Sequence, residues 1–537
     1  MIQIAEKTLT SLCLVSSQKY KDRPAFAMIS EGKITRRVTY AQMGMRVRQI
    51  GNLLNTLGVK RGEKILLFSE NCPEWPLAYF GIAFAGAVSV PILTGFSAEQ
   101  IQNIITHSQI SAICLSKAAC EKLKLSSSKL PLVFIDSICG DEISVSANGE
   151  QKRMTLNADT GEAHLQSGPD ELASIVYTSG TQGNSKGVML TGANLISSAV
   201  SSLDLVKLFP RDRLLSVLPL AHTYECSLGL MAPVLCGASV AYLEKPPSPS
   251  VLLQAAGIFR PSAMVTVPLL IEKIYRSTIV PKLRKSRLYK FPVTRSLAVF
   301  LAGRKLVSAL GGRIRFFGIG GAPLSPDVEN FLYRAGFPYS TGYGLTEASP
   351  FIAGNAPRRF LLRSGLRSSR GVKLRIAGGA GENEGEIQIK GPNVMMGYYR
   401  DSERTAEAFT SDLWLRTGDL GSIDKKGRLH IRGRLKALIL GPSGENIYPE
   451  EIERLLSSSR LVEDALVYSG EKGELIALVR LSETAKAAAG AIEHALEELR
   501  SWVNKKLSYF SRLSRIEIKN EPFEKTPTMK IKRYLYD

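Results

Sequence analysis

The sequence predicts an α/β protein with a large layered N-terminal domain and a small C-terminal α+β domain. The chain has 537 residues, which is too long for one ordinary hydrophobic core. Patterns typical of helices and of strands alternate along most of its length, as in layered α/β domains. Residues 434–537 instead combine short strands with one amphipathic helix. We therefore expect one domain over residues 1–433 and a second over residues 434–537.

The first helix signal lies between residues 39 and 57. Thr39 and Gln42 have the spacing of a capping box. The apolar residues that follow are spaced alternately by four and three positions, which keeps them on one face: Met43, Val47, Ile50, Leu54 and Leu57. The stretch "GVKRGEK" then predicts a turn into the strand "ILLF", and "LPLVFID" and "ASVAYLE" predict further strands.

An uncharged stretch from Trp75 to Leu93 has the apolar composition of a membrane span. It is rich in Ala, Gly and Pro and ends in the strand-like "AVSVPI", so a buried helix running into a buried strand explains it better. Two polar, Gly-rich segments, near residues 140–165 and 375–385, are predicted to be loops.

The C-terminal domain is predicted from four segments. "DALVYSG" and "ELIALVRLS" are expected to be strands, and "RIEIK" is expected to be a third. Between them, one predicted helix places five apolar residues on one face: Ile492, Leu496, Leu499, Val503 and Leu507. The stretch "IRGRLKALILGPSGEN" is the expected junction with the N-terminal domain.

The formal net charge of +20 favours acidic partners, whether an acidic protein, an anionic membrane surface or nucleic acid. Basic residues concentrate in Pro281–Arg295 and in Arg358–Arg375. Nothing resembles a zinc finger, an RNP motif or a basic zipper, so no nucleic-acid partner is predicted. Solvated surface charge is the alternative explanation for each cluster.

The cysteine pattern and the N-terminal residues indicate the cellular compartment of the protein. Seven cysteines are scattered without a C-x-x-C pair, which indicates reduced thiols and no zinc site. The N-terminal residues lack a basic start followed by an unbroken apolar run, so no signal peptide is expected. These features predict a cytoplasmic protein, and the charge leaves open a peripheral contact with the inner face of the membrane.

The stretch "YTSGTQGNSKGV", Tyr177–Val188, contains three glycines, four Ser/Thr hydroxyls and one lysine. Glycine lets backbone N–H groups approach an anion closely, and hydroxyls and a cation suit phosphate oxygens. The phosphate loop G-x-x-x-x-G-K-[ST] does not fit, because Ser185 stands where its second glycine would be. A flexible surface turn is the alternative interpretation of this segment alone.

Five later segments share this small and polar character: "GIGGAPLS", "YSTGYGLTE", "LWLRTGDLG", "GRLKALILGPSGENIYPEEIE" and "EKTPTMKIKR". Together, in this order, they resemble the adenylate-forming superfamily, from about Tyr20 to the C-terminus. Within that superfamily, "RPSAMVTVPLLIEKIY" and "TPTMKIKRYLY" are similar to the long-chain fatty acid ligase branch. The resemblance implies an acyl-CoA synthetase-like fold whose small C-terminal domain is mobile.

The resemblance also implies ATP and Mg²⁺ as cofactors and a role for each matching residue. The β- and γ-phosphates of ATP would be held by Thr178, Ser179, Gly180, Thr181 and Lys186. The adenine slot would be lined by Gly320, Gly321, Ala322, Pro323, Gly342, Tyr343 and Gly344. The remaining nucleotide and catalytic roles would fall to Thr346 at the α-phosphate, Glu347 at Mg²⁺, Asp419 and Arg434 at the ribose, and Lys530 as the catalytic lysine. Lys436 would be the hinge, and His222 would line the acyl pocket unless it is a structural histidine.

The implied reaction is AMP-forming activation of a long-chain fatty acid, followed by transfer to a pantetheine thiol. The acceptor would be acyl carrier protein or coenzyme A, and the positive charge slightly favours the acidic carrier. Gln182, Ser185, Ala437 and Met529 depart from common family patterns, but every charged residue that the reaction needs is present. The rival interpretation is a non-catalytic basic protein that binds membranes or nucleic acid on the same fold.

Overall fold

The described residues form five β-sheets, three in the N-terminal part of the chain and two in the C-terminal part. The computed structural model describes residues 2, 4–125, 128–147, 150–156, 167–178, 185–381, 384–440, 446–470, 473–486, 492–526 and 530–536. Within these ranges, two nine-stranded sheets and one four-stranded sheet lie between residues 24 and 434. A two-stranded ribbon and a three-stranded sheet lie between residues 439 and 518.

The first sheet has a parallel centre and antiparallel edges. Numbered in chain order, its strands lie side by side as β17 (Arg367–Ser368), β16 (Phe351–Gly354), β15 (Tyr339–Gly344), β14 (Phe316–Ile319), β13 (Ala263–Thr266), β11 (Arg213–Leu215), β12 (Ser239–Leu243), β1 (Pro24–Ser30) and β2 (Lys33–Thr39). Strands β14 and β15 are parallel, with Ile319 opposite Thr341. Since parallel strands present their carboxyl ends at one edge, the residues that follow Ile319 and Thr341 are neighbours.

The second sheet is built in the same way. Its order is β20 (Gly397–Tyr398), β10 (Lys186–Thr191), β9 (Leu172–Thr178), β4 (Val88–Pro91), β3 (Lys64–Phe68), β5 (Ile110–Leu115), β6 (Leu132–Phe134), β7 (Glu142–Ala147) and β8 (Glu150–Thr155). Strands β9, β4, β3, β5 and β6 are parallel, whereas β10 runs antiparallel to β9. The antiparallel β10 therefore begins at the edge at which β9 ends.

The smaller sheets carry the junction and the C-terminal part. The four-stranded sheet is antiparallel, with the order β18 (Lys373–Gly381), β19 (Glu384–Lys390), β21 (Leu415–Ile423) and β22 (Leu429–Arg434). The ribbon pairs β23 (Ile439–Leu440) with β24 (Asn446–Ile447). In the last sheet β25 (Val462–Ser469) is antiparallel to β26 (Leu475–Leu481), which is parallel to β27 (Arg515–Ile518).

Helices connect and cover the strands. In chain order they are α1 (Leu9–Lys19), α2 (Tyr40–Thr56), α3 (Glu74–Phe84), α4 (Ala98–Ser108), α5 (Lys117–Leu123), α6 (Gly192–Ser202), α7 (Ala232–Cys236), α8 (Pro249–Phe259), α9 (Pro268–Ile274), α10 (Val280–Lys285), α11 (Arg287–Lys290), α12 (Pro292–Ala309), α13 (Pro326–Arg334), α14 (Ser402–Ala408), α15 (Pro449–Ser457), α16 (Glu483–Lys486) and α17 (Ile492–Asn504). Two π-helical segments, Glu225–Met231 and Tyr275–Ile279, precede α7 and α10.

The predicted helix after Thr39 is present as α2. The Thr39 hydroxyl accepts a hydrogen bond from the Gln42 N–H, and the Gln42 side chain accepts one from the Thr39 N–H. This reciprocal pair is the predicted capping box, and it satisfies two N–H groups that have no partner within the helix. Four of the five apolar residues predicted for one face are buried within the helix: Met43, Val47, Ile50 and Leu54.

The uncharged stretch from Trp75 to Leu93 is a buried helix followed by a buried strand, as predicted. Residues 74–82 of α3 are all buried, and so is every residue of β4. No helix among the described residues combines the length and the hydropathy needed to cross a bilayer.

The loop prediction for residues 140–165 and 375–385 is wrong over the described residues. Strands β7 and β8 form a hairpin at the edge of the second sheet, and β18 and β19 form another in the four-stranded sheet. Ile143 and Val145 are buried beneath the first hairpin, whereas the edge strand β8 is mostly exposed and polar. Natural edge strands are often charged because this discourages pairing with other chains, so polar composition did not distinguish an edge strand from a loop.

The buried apolar side chains of the described residues form three separate hydrophobic cores. The two larger cores are formed by residues between 2 and 429. The third consists of residues from Ile447 onward and lies under β25 and β26 with α15 and α17. The fold class is confirmed: a large layered α/β part is followed by a small α+β part. The boundary at residues 433 and 434 stays a prediction.

Candidate active site

The two ends of the predicted phosphate loop lie side by side on adjacent antiparallel strands. Thr178 is the last residue of β9, and Lys186 is the first of β10, directly opposite it. The Thr178 hydroxyl is buried and has no hydrogen-bond partner among the described residues. An unpartnered buried hydroxyl of this kind costs free energy unless a ligand or water satisfies it. Ser179, Gly180 and Thr181 lie outside the described residues.

Lys186 is held by two side chains at the edge of the second sheet. Its Nζ lies 3.2 Å from Glu347 Oε1 and 2.9 Å from the Tyr398 hydroxyl oxygen. The Tyr398 hydroxyl also donates to Glu347 Oε1 at 2.9 Å. Tyr398 was not predicted from the sequence; the signal that could have found it is the "GYY" that begins β20, because β20 pairs with the lysine's own strand.

Glu347 is a carboxylate that stays charged in a mostly buried position. Burial alone would raise its pKa, but Lys186 and the Tyr398 hydroxyl bring that pKa below the ordinary value. The contacts with Lys186 and Tyr398 both use Oε1. Mg²⁺ is bound in nucleotide sites by one or two carboxylates together with phosphate oxygens and water. Glu347 therefore fits a magnesium ligand, while neighbouring Thr346 is buried at the start of a 3₁₀ turn over Thr346–Ala348.

The predicted adenine segments lie side by side at the edge of the first sheet. Gly320 follows β14, and Gly342 lies within β15, two residues beyond Ser340, which is the partner of Gly318. A Cβ atom on Gly320 would lie 3.2 Å from Tyr224 Cζ and 3.4 Å from the Gly342 carbonyl oxygen. A Cβ atom on Gly344 would lie only 2.0 Å from the Pro350 carbonyl oxygen, so only glycine fits there. Gly321, Ala322 and Pro323 are exposed beside these residues, as expected of a slot wall.

Asp419 is a buried carboxylate that contacts two polar side chains. Its Oδ2 accepts a hydrogen bond from the Tyr343 hydroxyl at 2.5 Å, and its Oδ1 lies 2.9 Å from Arg434 Nε. Asp419 and Arg434 are direct partners in the ladder of β21 and β22. Burial raises the pKa of Asp419, and Arg434 opposes that rise. A carboxylate can accept about four hydrogen bonds, so Asp419 retains capacity for two ribose hydroxyls. Tyr343, predicted beside the base, thus also reaches the predicted ribose carboxylate.

Lys530 comes from the far end of the chain and lies near this group. Its backbone N–H donates to the Thr526 hydroxyl at 3.2 Å. Lys530 is accessible to solvent. The surrounding protein and the Arg434 cation lower the pKa of Lys530. The carboxylates of Asp419, Glu450 and Glu347 raise it, but by less. The structure therefore brings the predicted catalytic lysine to the same charged cluster as the predicted ribose and magnesium residues.

The two remaining predicted residues have different surroundings. Lys436 is exposed in a 3₁₀ turn over Leu435–Ala437, directly after β22. His222 is half-buried, and its Nδ1 accepts a hydrogen bond from the Tyr224 N–H at 3.1 Å. Burial, and then the Lys530 cation, lower the pKa of His222 to about 4. The histidine is therefore neutral near pH 7 and close to Lys530, which is compatible with lining the pocket and also with a structural role.

The sequence interpretation overlooked Glu225, a fully buried acid three residues after His222. Neither of its carboxyl oxygens has a hydrogen-bond partner of normal geometry among the described residues. Burial raises the pKa of Glu225 to about 8. The nearby polar groups of Ser216 and Leu218 lower this pKa, but by less than burial raises it. A single acidic residue before the apolar run "CSLGLMAPVLC" was the available sequence signal.

We expect Glu225 to make the protein less stable as pH rises. Between the ordinary pKa of 4.5 and about 8, the folded state retains a proton that the unfolded state releases. The free energy of unfolding should therefore fall with rising pH in this window, by up to about 1.4 kcal/mol per pH unit from this group. In Glu225→Gln this contribution to the slope should disappear. The melting temperature of the variant should therefore rise relative to that of the unsubstituted protein from pH 5 to 8.

The control for this experiment is Glu407→Gln, which changes an exposed carboxylate on α14. Its melting temperature should follow that of the unsubstituted protein at each pH. A constant difference between the Glu225→Gln variant and the unsubstituted protein across the pH series would contradict a buried, protonated Glu225.

A protein-family model described as AMP-binding enzyme matches residues 15–399. The chain belongs to this family. Among the relatives of this AMP-binding enzyme is "Long-chain-fatty-acid--CoA ligase FadD15" of Mycobacterium bovis, which is 30% identical over 92% of this chain and 90% of its own length. Another is "Long-chain-fatty-acid--[acyl-carrier-protein] ligase AEE15, chloroplastic" of Arabidopsis thaliana, 28% identical over 98% of this chain and 85% of its own.

A solved structure has the same fold as this AMP-binding enzyme. It is the O-succinylbenzoate coenzyme A synthetase of Bacillus subtilis in complex with ATP and magnesium ion, with a TM-score of 0.77 and 22% identity over 97% of this chain and 98% of the other. The predicted membership of the adenylate-forming superfamily, in its long-chain fatty acid ligase branch, is therefore confirmed. The roles of individual site residues stay predictions.

Proposed function

We propose that this enzyme activates a long-chain fatty acid with ATP to form an acyl-adenylate and then transfers the acyl group to a pantetheine thiol. The observation that carries the proposal is the convergence of Lys186, Glu347, Asp419, Arg434 and Lys530, which come from different segments, on one site. The activities in the names of both relatives support a long-chain fatty acid as the substrate.

The first step needs charge control more than a side-chain nucleophile. The fatty acid carboxylate attacks the α-phosphorus of ATP, the bond to pyrophosphate breaks, and two anions must meet. We propose that Lys530 neutralises negative charge at the α-phosphate, next to Thr346, and that Lys186 and Thr178 hold the outer phosphates. Fixed charges placed before the reaction stabilise the transition state without reorganisation.

The nucleotide would be oriented by the remaining side chains. Asp419 would accept hydrogen bonds from the ribose hydroxyls, with Arg434 beside it, and the glycines around Gly320 and Gly342 would admit the adenine ring. Mg²⁺, when bound at Glu347, would neutralise phosphate charge as a Lewis acid. His222 is proposed to line the route of the acyl group, where its neutral ring adds no charge to a site that handles two anions.

The second step would follow a rearrangement at the junction between the two parts of the chain. We propose the domain boundary at residues 433 and 434, with Lys436 as the hinge about which the C-terminal domain rotates. Lys436 is exposed in a short turn between two antiparallel pairs of strands, and hinges are usually a few such residues. This rotation would withdraw Lys530 and admit the thiol.

The activity is tested by exchange of labelled pyrophosphate into ATP with palmitate or oleate and Mg²⁺. We expect exchange that depends on the fatty acid and on Mg²⁺. Failure of exchange with fatty, aryl and amino acids alike would contradict the proposed function and favour a non-catalytic basic protein. Such a protein should instead bind anionic surfaces with a steep salt dependence and turn over no nucleotide.

We propose acyl carrier protein as the slightly favoured acceptor, and coenzyme A as the alternative. The net charge of +20 suits an acidic carrier. Part of the basic cluster Arg358–Arg375 is already paired within the chain, since Arg370 lies 3.0 Å from Asp204 and Arg375 lies 2.6 Å from Asp412. Arg367, in the edge strand β17, remains exposed for a partner.

The acceptor is decided by presenting holo-carrier and coenzyme A separately, with the same fatty acid. Faster thioester formation on the carrier is expected, and it should slow as salt rises from low to physiological concentration because screening shortens the reach of charges to about 8 Å. Efficient use of coenzyme A with an inert carrier would establish the alternative. We further propose a cytoplasmic location, with peripheral membrane contact and no nucleic-acid partner.

A further inference from the structure

Helices α10, α11 and α12 form a strongly basic surface that the proposed reaction does not use. Residues 273–310 contain ten Lys and Arg residues and no Asp or Glu. Eight of these basic residues are exposed on the three helices: Lys282, Arg284, Lys285, Arg287, Lys290, Arg295, Arg304 and Lys305. This segment thus contributes half of the net charge of +20.

Helix α12 combines this charge with an exposed apolar face. The exposed fractions are 94% for Val293, 51% for Leu297, 48% for Phe300 and 42% for Leu301. Their spacing of four, seven and eight residues from Val293 places all four on one side of the helix. Phe291, just before the helix, is 64% exposed.

The opposite side of α12 anchors the helix to the protein. Ala298, Gly303 and Leu306 are buried there, and Ala298 and Leu306 belong to the second core, together with residues of β13 and β14. The helix is therefore held in place by its inner side while its apolar outer side faces solvent. A monomeric soluble protein rarely leaves a contiguous apolar patch beside concentrated charge without a binding role.

We propose that this surface, formed by α10, α11 and α12 and called here the basic helical face, docks on an anionic lipid bilayer. A helix with apolar and basic residues of this kind lies in the plane of the membrane interface, with its apolar side among the acyl chains and its cations at anionic headgroups. A nucleic acid would match the charges but would leave Val293, Leu297 and Phe300 without apolar partners, and an acidic protein would need an exposed apolar patch of its own beside its charges.

The proposal rests on the peripheral membrane contact proposed above and assigns it to one surface; docking itself requires neither ATP nor a fatty acid. If the enzyme does act on long-chain fatty acids, docking would also place it where these poorly soluble molecules concentrate. Membrane binding and catalysis are separate measurements, so the failure of one is distinguishable from the failure of the other.

The test is co-sedimentation of the full chain with phosphatidylcholine vesicles that contain or lack phosphatidylglycerol. We expect binding to the anionic vesicles, weakened by added salt, and little binding to vesicles of phosphatidylcholine alone. The introduced tryptophan of a Val293→Trp variant, measured as the difference from the unsubstituted protein, should show a blue shift and quenching by brominated lipid only with the anionic vesicles. Absence of binding at low salt, or an unchanged difference spectrum on binding, would overturn the proposal.

Two sets of substitutions separate the charged and apolar contributions. Neutralising Arg284, Lys285 and Arg287 with Gln should weaken binding by about fivefold per charge. Leu297→Ser with Phe300→Ser should weaken it by at least about tenfold, because both side chains lose their burial in lipid. All of these positions are exposed, so folding and pyrophosphate exchange should be retained.

Matched controls change residues of the same kind elsewhere. Lys425→Gln with Lys426→Gln removes two exposed charges from the turn between β21 and β22, and Tyr509→Ser removes a side chain that is 84% exposed. These controls should lose no more than about twofold of the affinity. Equal losses in the controls and in the helical variants, or loss of carrier-protein binding in place of vesicle binding, would overturn the assignment of this face to a membrane.

Discussion

Replacing Lys530 with Ala should lower the rate of acyl-adenylate formation by about 10²–10³-fold, if the loss of one preorganised charge contact has its usual cost. Lys530 is within electrostatic range of Arg434, Asp419, Glu450 and Glu347, so its removal takes a cation from a site that must accept phosphate charge. Thioester formation from supplied acyl-adenylate should be largely retained, because the proposed rotation withdraws this lysine before the second step. Single-turnover measurements of the two half-reactions distinguish these outcomes.

Lys532→Ala is the matched control for this variant. Lys532 lies two residues away, and its Nζ is 3.1 Å from Glu524 Oε2. Its removal should leave both half-reactions near their original rates. If Lys530→Ala and Lys532→Ala slow the two half-reactions equally, the loss reflects damage to the C-terminal segment and the catalytic assignment is wrong.

Glu347→Gln should also lower adenylation by about 10²–10³-fold and raise the Mg²⁺ concentration needed for half-maximal activity. The substitution preserves the shape of the side chain and one oxygen near Lys186 and Tyr398, but it removes the negative charge. Because the proposed role is to bind Mg²⁺ with ATP, the variant should also lose most of the rise in melting temperature that MgATP gives the unsubstituted protein.

Tyr398→Phe provides the graded comparison. It deletes one hydroxyl that donates to Glu347 and leaves the carboxylate in place. The same hydroxyl accepts a hydrogen bond from Lys186. Loss of two hydrogen bonds at about 1 kcal/mol each should lower activity by up to about thirtyfold, with little change in the Mg²⁺ requirement. A Glu347→Gln variant with the original activity and Mg²⁺ requirement would exclude the carboxylate as the metal ligand.

Much of the candidate site could be predicted because its residues lie in short segments with distinctive composition. The loop that starts at Thr178 and the glycines at 342 and 344 each have a local chemical reason to be polar, small or both. Helix α2 was equally predictable, since a capping box and a regular apolar spacing are both local signals.

The contacts between segments could not be predicted in the same way. Tyr398 reaches Lys186 only because β20 pairs with β10, although the two residues are 212 positions apart in sequence. Glu225 is separated from water by surrounding elements that no local pattern identifies. The sequence predicts loops at the two polar hairpins because local composition does not show their strand partners. Strand β19 pairs with β21, and β7 pairs with β6 near the edge of its sheet.

The direct pairing of Asp419 with Arg434 bears on the fate of the activated intermediate. Both residues belong to one antiparallel ladder that ends just before Lys436. Arg434 lies at the proposed boundary but precedes the hinge residue. If the C-terminal domain turns about Lys436, as proposed, the ladder stays intact with the larger part of the chain while Lys530 departs. Asp419 and Arg434 would then remain bound to the ribose of the acyl-adenylate while Lys530 leaves and the thiol enters. The acyl-adenylate would therefore stay bound during the rotation between the two half-reactions, when it could otherwise diffuse into water and hydrolyse. We expect the amount of ATP consumed to match the amount of thioester formed.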